Sequence, residues 1–183
     1  MGDISTLIGT VLTSIDRDGD EALTFNTDSA KSYRMDHCQD CCESVTIEDI
    51  CGDLDDLIGS PILQAEEATS DTLLEGAPEP ENPDDQTEWT FYKLATIKGS
   101  VTIRWFGTSS GGYSTSVDFY EVPRVGLRYR VVEDIFAGGG ERTIPVGSVV
   151  EVTEAGGGRY PRVRDERTGI STMTDGSHLG LLS

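Results

Sequence analysis

The residues best suited to chemistry form one short cluster early in the chain. It contains all four cysteines and one of the two histidines: His37, Cys38, Cys41, Cys42 and Cys51. The Cys-x2-Cys spacing is a common half of a tetrahedral zinc site, and His37 or Cys51 could complete the set of ligands. Most zinc modules, however, use two well-separated pairs, and the second pair is missing. Zinc binding is therefore one hypothesis for this cluster.

Packing is the competing hypothesis for the same cysteines. Adjacent residues of an extended chain point in opposite directions, so at least one of Cys41 and Cys42 is expected to pack as a small hydrophobic residue. A third hypothesis is a reactive thiol, which needs a neighbouring His or cation to lower its pKa. His37 is available, but Asp40 and Glu43 would raise the pKa of a nearby thiol. The sequence therefore favours a non-catalytic protein over a thiol enzyme.

A run of acidic residues on both sides of Cys51 forms the second candidate site. It contains five carboxylates: Glu48, Asp49, Asp53, Asp55 and Asp56. Such a cluster could bind a divalent cation. A solvated acidic face in which Asp53 caps a helical turn is the simpler interpretation. We therefore expect these residues to form an acidic interaction face.

The net charge of −19 lies entirely in the first two thirds of the chain. Residues 1–121 contain 25 Asp and Glu against 6 Lys and Arg, whereas residues 122–183 contain 8 residues of each sign. An acidic segment repels nucleic-acid backbones and anionic membranes, which bind through clustered Lys and Arg. Residues 1–121 are thus predicted not to bind a nucleic-acid backbone directly, and cationic partners remain.

Basic residues concentrate at one place in the last third of the sequence. This basic stripe consists of Arg159, Arg162, Arg164 and Arg167, with Tyr160 among them. If the segment is a strand, Arg162 and Arg164 share a face and could grip nucleic acid or phosphate. Because Asp165 and Glu166 interrupt the stripe, docking of the stripe against the acidic first segment is an equally good interpretation.

Short strands joined by tight turns must position these groups in the first segment. The dipeptide Asp18-Gly19 is a strong hairpin signal. Residues 53–58 are typical of one or two helical turns. Strands are predicted at residues 11–16, 21–27, 32–37, 45–50, 62–68, 89–97, 101–106 and 114–120. Residues 1–121 are therefore predicted to form an antiparallel β domain with little helix.

The second segment, residues 122–183, alternates short strands with Gly-rich turns. Strands are predicted at residues 127–132, 148–153, 162–164 and 170–174. This density of short strands suggests a small barrel. The runs Ile144-Pro-Val-Gly-Ser-Val-Val-Glu-Val, Tyr160-Pro-Arg-Val-Arg and Ser177-His-Leu resemble SH3-like barrels over residues 124–183. The expected fold class is mostly β: an antiparallel sheet domain followed by a small SH3-like β-barrel.

A more specific resemblance lies in the first segment. The run His37-Cys-Gln-Asp-Cys-Cys-Glu-Ser-Val-Thr-Ile-Glu-Asp-Ile-Cys-Gly-Asp-Leu occurs together with Trp89-Thr-Phe-Tyr-Lys-Leu and Val101-Thr-Ile-Arg-Trp-Phe-Gly. These runs resemble a family of bacteriophage and prophage proteins known as a domain of unknown function, DUF7448, over residues 5–121. The resemblance implies a phage origin and expression in an infected bacterium, but it implies no activity.

The apolar segments are too short for a membrane anchor. No run approaches the roughly 18 residues that a transmembrane helix needs, and the N-terminus lacks the basic and apolar regions of a signal peptide. The sequence thus predicts no membrane partner and a location in the cytoplasm of the infected bacterium.

These observations favour a non-catalytic bacteriophage accessory protein that binds a host or phage protein and needs no cofactor. One version is an inhibitor of a host defence protein that acts through the acidic surface. The barrel would then be a second contact or a module for homo-oligomerisation. Two alternatives stay open. The protein could be a virion structural or decoration component, or the cluster from His37 to Cys51 could serve a metal- or thiol-dependent enzyme or a small-molecule sponge.

Overall fold

Strands dominate the computed structural model, which describes residues 2–71, 78, 80, 82–137, 142–154 and 160–182. The chain divides into two compact units, Met1–Ser29 with Tyr33–Tyr120 and Ala30–Ser32 with Glu121–Ser183. In the described residues, the helical segments are 3-10 helices of three or four residues. The expectation of a mostly β protein with little helix is confirmed.

Eight strands form two four-stranded sheets, almost wholly within the first unit. The strands are β1 Leu12–Asp18, β2 Ala22–Thr27, β3 Ser32–Asp36, β4 Glu43–Cys51, β5 Gln64–Ser70, β6 Gln86–Ala95, β7 Ser100–Ser109 and β8 Asp118–Val122. One sheet has the order β1-β2-β3-β8 and the other β4-β7-β6-β5. Two 3-10 helices, Ile4–Leu7 and Leu54–Leu57, accompany them, and Asp53 caps the second through the N–H of Asp55.

The alternation of side chains along each strand buries one face of each sheet in a shared core. In β7, Ile103 and Trp105 point into this core, which also contains Phe25 and Met35 from the other sheet. The Trp105 indole N–H donates to the Met35 sulfur at 3.3 Å, so the polar atom of this buried side chain has a partner. The first unit is thus a pair of sheets around one hydrophobic core.

Two glycines with positive φ shape the connections of this unit. The hairpin predicted at Asp18-Gly19 forms as expected, with Asp18 opposite Ala22 and Gly19 at φ +54°. Gly52 follows β4 at φ +108°, and a Cβ at this position would lie 2.5 Å from the backbone oxygen of Ser100. A side chain at position 52 would therefore strain the backbone, because φ is positive, and would also clash with Ser100.

Replacement of Gly52 by alanine should destabilise the first unit more than the same change at Gly19. The Cβ of Gly19→Ala has no atom within 4 Å, so this variant should lose only the about 1 kcal/mol of stability that a positive φ costs an alanine. Gly52→Ala adds the clash with Ser100 and should exceed that cost by at least about 1 kcal/mol. Urea unfolding of both variants measures the difference. Equal losses in the free energy of unfolding would show that Gly52 does not lie close to the backbone of Ser100.

The second unit is a five-stranded antiparallel sheet with an additional hairpin. Its strands are β9 Arg128–Val131, β10 Ile135–Ala137, β11 Arg142–Ile144, β12 Val149–Glu154, β13 Arg162–Asp165, β14 Ser171–Met173 and β15 Leu179–Leu181. The sheet order is β14-β13-β12-β9-β15, and β10 pairs with β11. Tyr129, Val150 and Val163 belong to its separate core. Across the described residues this sheet is open, because β14 and β15 do not pair, so the expected barrel is not closed.

A membrane-spanning helix is not found in the described part of the chain, because none of its helices has the necessary length and apolar character.

Candidate functional site

A cavity of about 560 Å³ lies against the outer face of the sheet β4-β7-β6-β5, in the first unit. One side carries the thiols of Cys41 and Cys42 together with side chains of β4. Phe106 and Thr108 of β7 contribute another part of the wall, because they alternate with the core residue Trp105. Pro78, Pro80 and Asp85 also line the cavity.

Aromatic side chains beside the cavity are buried although they point away from the core. Trp89 and Phe106 face each other across β6 and β7, with ring centroids 4.8 Å apart. The Arg104 guanidinium lies 5.5 Å from the centre of the Trp89 ring, a cation–π distance. Nε1 of Trp89 is buried and has no acceptor within the described residues. The outer face of this sheet is thus partly apolar.

The chain enters β4 through a tight bend, residues 40–43, which we call the thiol bend. Glu43 holds it together: its carboxylate accepts hydrogen bonds from the backbone N–H of Asp40 and, at 3.3 Å, from that of Cys42. Only 2% of the Glu43 side chain is exposed. The Gln39 amide adds two bonds to the backbone of Val45, at 2.8 and 3.3 Å. A buried carboxylate with these partners is costly to disturb.

Because of this bend, Cys41 and Cys42 point in the same direction. Their sulfur atoms are 2.6 Å apart, and the Cys41 sulfur lies 3.3 Å from the Tyr113 hydroxyl. Both residues are exposed. The expectation that at least one of them packs as a hydrophobic residue is wrong. It assumed an extended backbone, whereas the chain bends here and becomes a strand only at Glu43.

The thiol and phenol of this group are held in their neutral forms. The contact with Cys41 raises the pKa of the Cys42 thiol, and burial and Glu43 act in the same direction. Cys41 also raises the pKa of the Tyr113 phenol, to about 12. Since the thiolate is the nucleophilic form, Cys42 lacks the activation that a thiol enzyme requires near neutral pH.

The structure does not bring the five proposed zinc ligands together. Cys51 ends β4, so roughly 26 Å of strand separates it from the thiol bend at about 3.3 Å per residue. The His37 ring uses Nδ1 against the Ser116 carbonyl at 2.7 Å, and its Nε2 lies 3.6 Å from Glu43. Cys38 is exposed. Among the described residues no three His, Cys, Asp or Glu side chains are arranged to hold a metal ion.

The acidic residues on both sides of Cys51 also have several separate roles. Asp49 makes a bidentate ion pair with Arg104, with both distances 2.5 Å, and this contact raises the pKa of the guanidinium. Asp53 is the cap described above, and Asp56 is half-buried beside it. Asp55 is exposed, and Glu48 lines the cavity. Of the five carboxylates predicted to form one face, Glu48 alone belongs to the cavity.

Other acids join Glu48 through the tertiary structure. The backbone N–H of Ile47 donates to the Asp20 carbonyl at 2.7 Å, which seats the β1–β2 turn against β4. We call the resulting exposed group the acidic rim: Asp18, Asp20, Glu21 and Glu48. Arg17 pairs with Asp20, and Arg34 lies 3.8 Å from Asp18. The sequence predicts this turn only as a hairpin, because its contact with β4 is long-range.

In the second unit, two arginines of the basic stripe are paired with acids. β13 places Arg162 and Arg164 on one face, where each meets an acid of β12. Arg162 bonds Glu154 at 3.0 Å, and Arg164 bonds Glu151 at 2.8 Å. Arg167 is exposed, whereas Arg159 lies outside the described residues.

Loss of the Glu43 carboxylate should release the thiol bend. Glu43→Gln retains the shape of the side chain but presents an amide N–H₂ to one of the two backbone donors, so we expect a loss of about 1–3 kcal/mol in the free energy of unfolding. Glu48→Gln, on the same strand and exposed, is the matched control and should change stability by less than about 0.5 kcal/mol. Urea unfolding measures both. Similar values for the two variants would contradict the role assigned to Glu43.

Comparison with known proteins adds one finding. The family described as domain of unknown function (DUF7448) matches residues 5–119, which include the thiol bend, the cavity strands and the acidic rim. No curated protein and no solved structure matches the chain.

Proposed function

This chain belongs to the DUF7448 family, and on physical grounds we propose for it a non-catalytic role in which the acidic first unit binds a basic surface of a partner protein. The observation that carries this proposal is the acidic rim. A single backbone hydrogen bond, from Ile47 to Asp20, brings the acidic β1–β2 turn against β4, the strand that carries Glu48. Exposed carboxylates concentrated in this way attract cationic surfaces and accelerate association with them.

The chemistry of the thiol bend supports binding over catalysis. The Cys42 thiol has a raised pKa, and the His37 ring is held by Ser116 and faces Glu43. A cysteine nucleophile would need the opposite environment, with a positive neighbour.

A phage accessory protein that inhibits a host defence protein is the more specific form of this proposal. Its partner would present a basic groove of the kind that binds nucleic acid, and the acidic rim would occupy that groove in the manner of a phosphate array. The second unit would supply a further contact or an oligomerisation surface.

Neutralisation of the acidic rim should abolish partner binding, whereas an equal loss of charge elsewhere should not. The test variant combines Asp18→Asn, Glu21→Gln and Glu48→Gln. The control variant combines Asp28→Asn, Glu66→Gln and Asp71→Asn, which are also exposed. Each variant carries three fewer negative charges than the natural chain. Capture from lysates of bacteria at low and high salt, followed by mass spectrometry, measures the binding.

The natural chain and the control variant should retain basic proteins at low salt and lose them at high salt. The test variant should retain none of them. Equal capture by the two variants would reject the acidic rim as the binding surface, and capture that is insensitive to salt would reject the electrostatic mechanism.

A second candidate function rests on the cavity, whose volume lies in the range of small-molecule sites. Phe106 offers an aromatic surface, and Glu48 and Asp85 offer carboxylates. This combination suits a small organic cation, which benefits from both kinds of contact. The protein would then sequester such a molecule.

Filling the cavity should eliminate binding of such a cation. Thr108→Trp places an indole in the cavity wall, whereas Thr102→Trp places the same group further along the same face of β7. A panel of organic amines and quaternary ammonium compounds is screened by thermal unfolding. At about 100 times its Kd a ligand stabilises the protein by about 2.7 kcal/mol, which raises Tm by several degrees. The rise should persist in Thr102→Trp and vanish in Thr108→Trp. No rise in the natural chain, or one that survives Thr108→Trp, would exclude this function.

A further inference from the structure

Cys41 and Cys42 are adjacent in the sequence, but their sulfur atoms lie far closer together than this adjacency requires. Their separation of 2.6 Å is about half an ångström more than the ~2.05 Å of a disulfide bond. Both side chains are exposed, so a small reagent can reach them. They also line the cavity, which leaves space beside the pair.

The fold holds these two thiols together before any reaction. Glu43 accepts hydrogen bonds from the N–H groups of Asp40 and Cys42, which flank Cys41 on both sides. The carbonyl of Cys42 accepts two more, from the backbone and the hydroxyl of Ser110, at 3.1 and 3.2 Å. The two bonds from Ser110 attach the thiol bend to the residue that follows β7. The bend is therefore fixed both by Glu43 within it and by the end of a neighbouring strand.

We propose that Cys41 and Cys42 form a redox site that is oxidised to a vicinal disulfide by low-molecular-weight disulfides. One cysteine, as thiolate, attacks the small disulfide, which releases its first thiol and leaves a mixed disulfide on the protein. The second cysteine then loses its proton, attacks the protein sulfur of that mixed disulfide and expels the second small thiol. Two S–H bonds are lost and one S–S bond is formed on the protein, while the small disulfide gains the two electrons and two protons.

The surroundings of the pair define how the reaction depends on pH. Cys42 faces Cys41, Glu43 and Tyr113, and the phenol of Tyr113 is neutral well above neutral pH. Because the pKa of Cys42 is raised, the Cys42 thiolate that closes the ring forms at higher pH in the folded protein than in an unfolded chain. Ring closure should therefore be slow near neutrality and accelerate as the pH rises above 8.

The test exposes the reduced full-length protein to oxidised and reduced glutathione in defined ratios. The remaining thiols are then alkylated and mapped by mass spectrometry. We expect the protein to lose two hydrogen atoms in mass and two of its four alkylatable thiols, at Cys41 and Cys42, while Cys38 and Cys51 stay alkylated. Accumulated glutathione adducts without ring closure, or a bond to Cys38 or Cys51, would overturn the proposal.

Two comparisons separate the contribution of the fold from the reactivity of any cysteine pair. The same titration in urea measures ring closure in the unfolded chain, which should need at least about tenfold more oxidising conditions. Equal closure in both states would show that the thiol bend does not organise the pair.

Cys42→Ser should trap the glutathione adduct on Cys41. Failure to trap it would show that the ring does not form through that intermediate. Tryptophan fluorescence confirms that the variant is folded. The outcome does not depend on the proposed basic partner.

Discussion

The position of β7 between β4 and β6 is the constraint on which the first unit depends. Because side chains alternate along this strand, Ile103 and Trp105 enter the core while Arg104 and Phe106 point to the outer face. The core face holds the two sheets together. The outer face supplies one wall of the cavity and the ion pair with Asp49. One strand thus determines both the stability of the unit and the location of its candidate site, and a shift of register by one residue would exchange the two faces.

At the start of β4, a buried carboxylate has a comparable local importance. The Glu43 carboxylate accepts hydrogen bonds from the backbone N–H groups of Asp40 and Cys42, which lie before the strand begins. Because the carboxylate is buried, each of these hydrogen bonds is stronger than it would be in water. The result is a bend in which adjacent thiols lie side by side. The contact with Cys41 raises the pKa of the Cys42 thiol, and the negative charge of Glu43 adds to this effect.

Charge is organised differently in the two units. In the second unit, Arg162 and Arg164 of β13 meet glutamates of β12 in cross-strand pairs, which contribute modestly to stability. In the first unit, acids greatly outnumber bases, and several acidic side chains are exposed around the β1–β2 turn. The excess negative charge is therefore a property of the first unit, to which the proposed electrostatic binding is assigned.

The sequence by itself determined the strand content, the hairpin at Asp18-Gly19, the cap at Asp53 and the uneven charge, because alternation, turn chemistry and composition are local. It missed β10, β11 and β15, which have three residues each and too little periodicity to detect. Only the tertiary structure decided that Cys51 lies far from Cys41, that Asp20 meets β4 and that Glu43 folds back beneath the thiols. The first and the last depend on where β4 begins and ends, and the contact of Asp20 depends on which strand its turn meets. The order of the residues does not reveal these boundaries or this long-range contact.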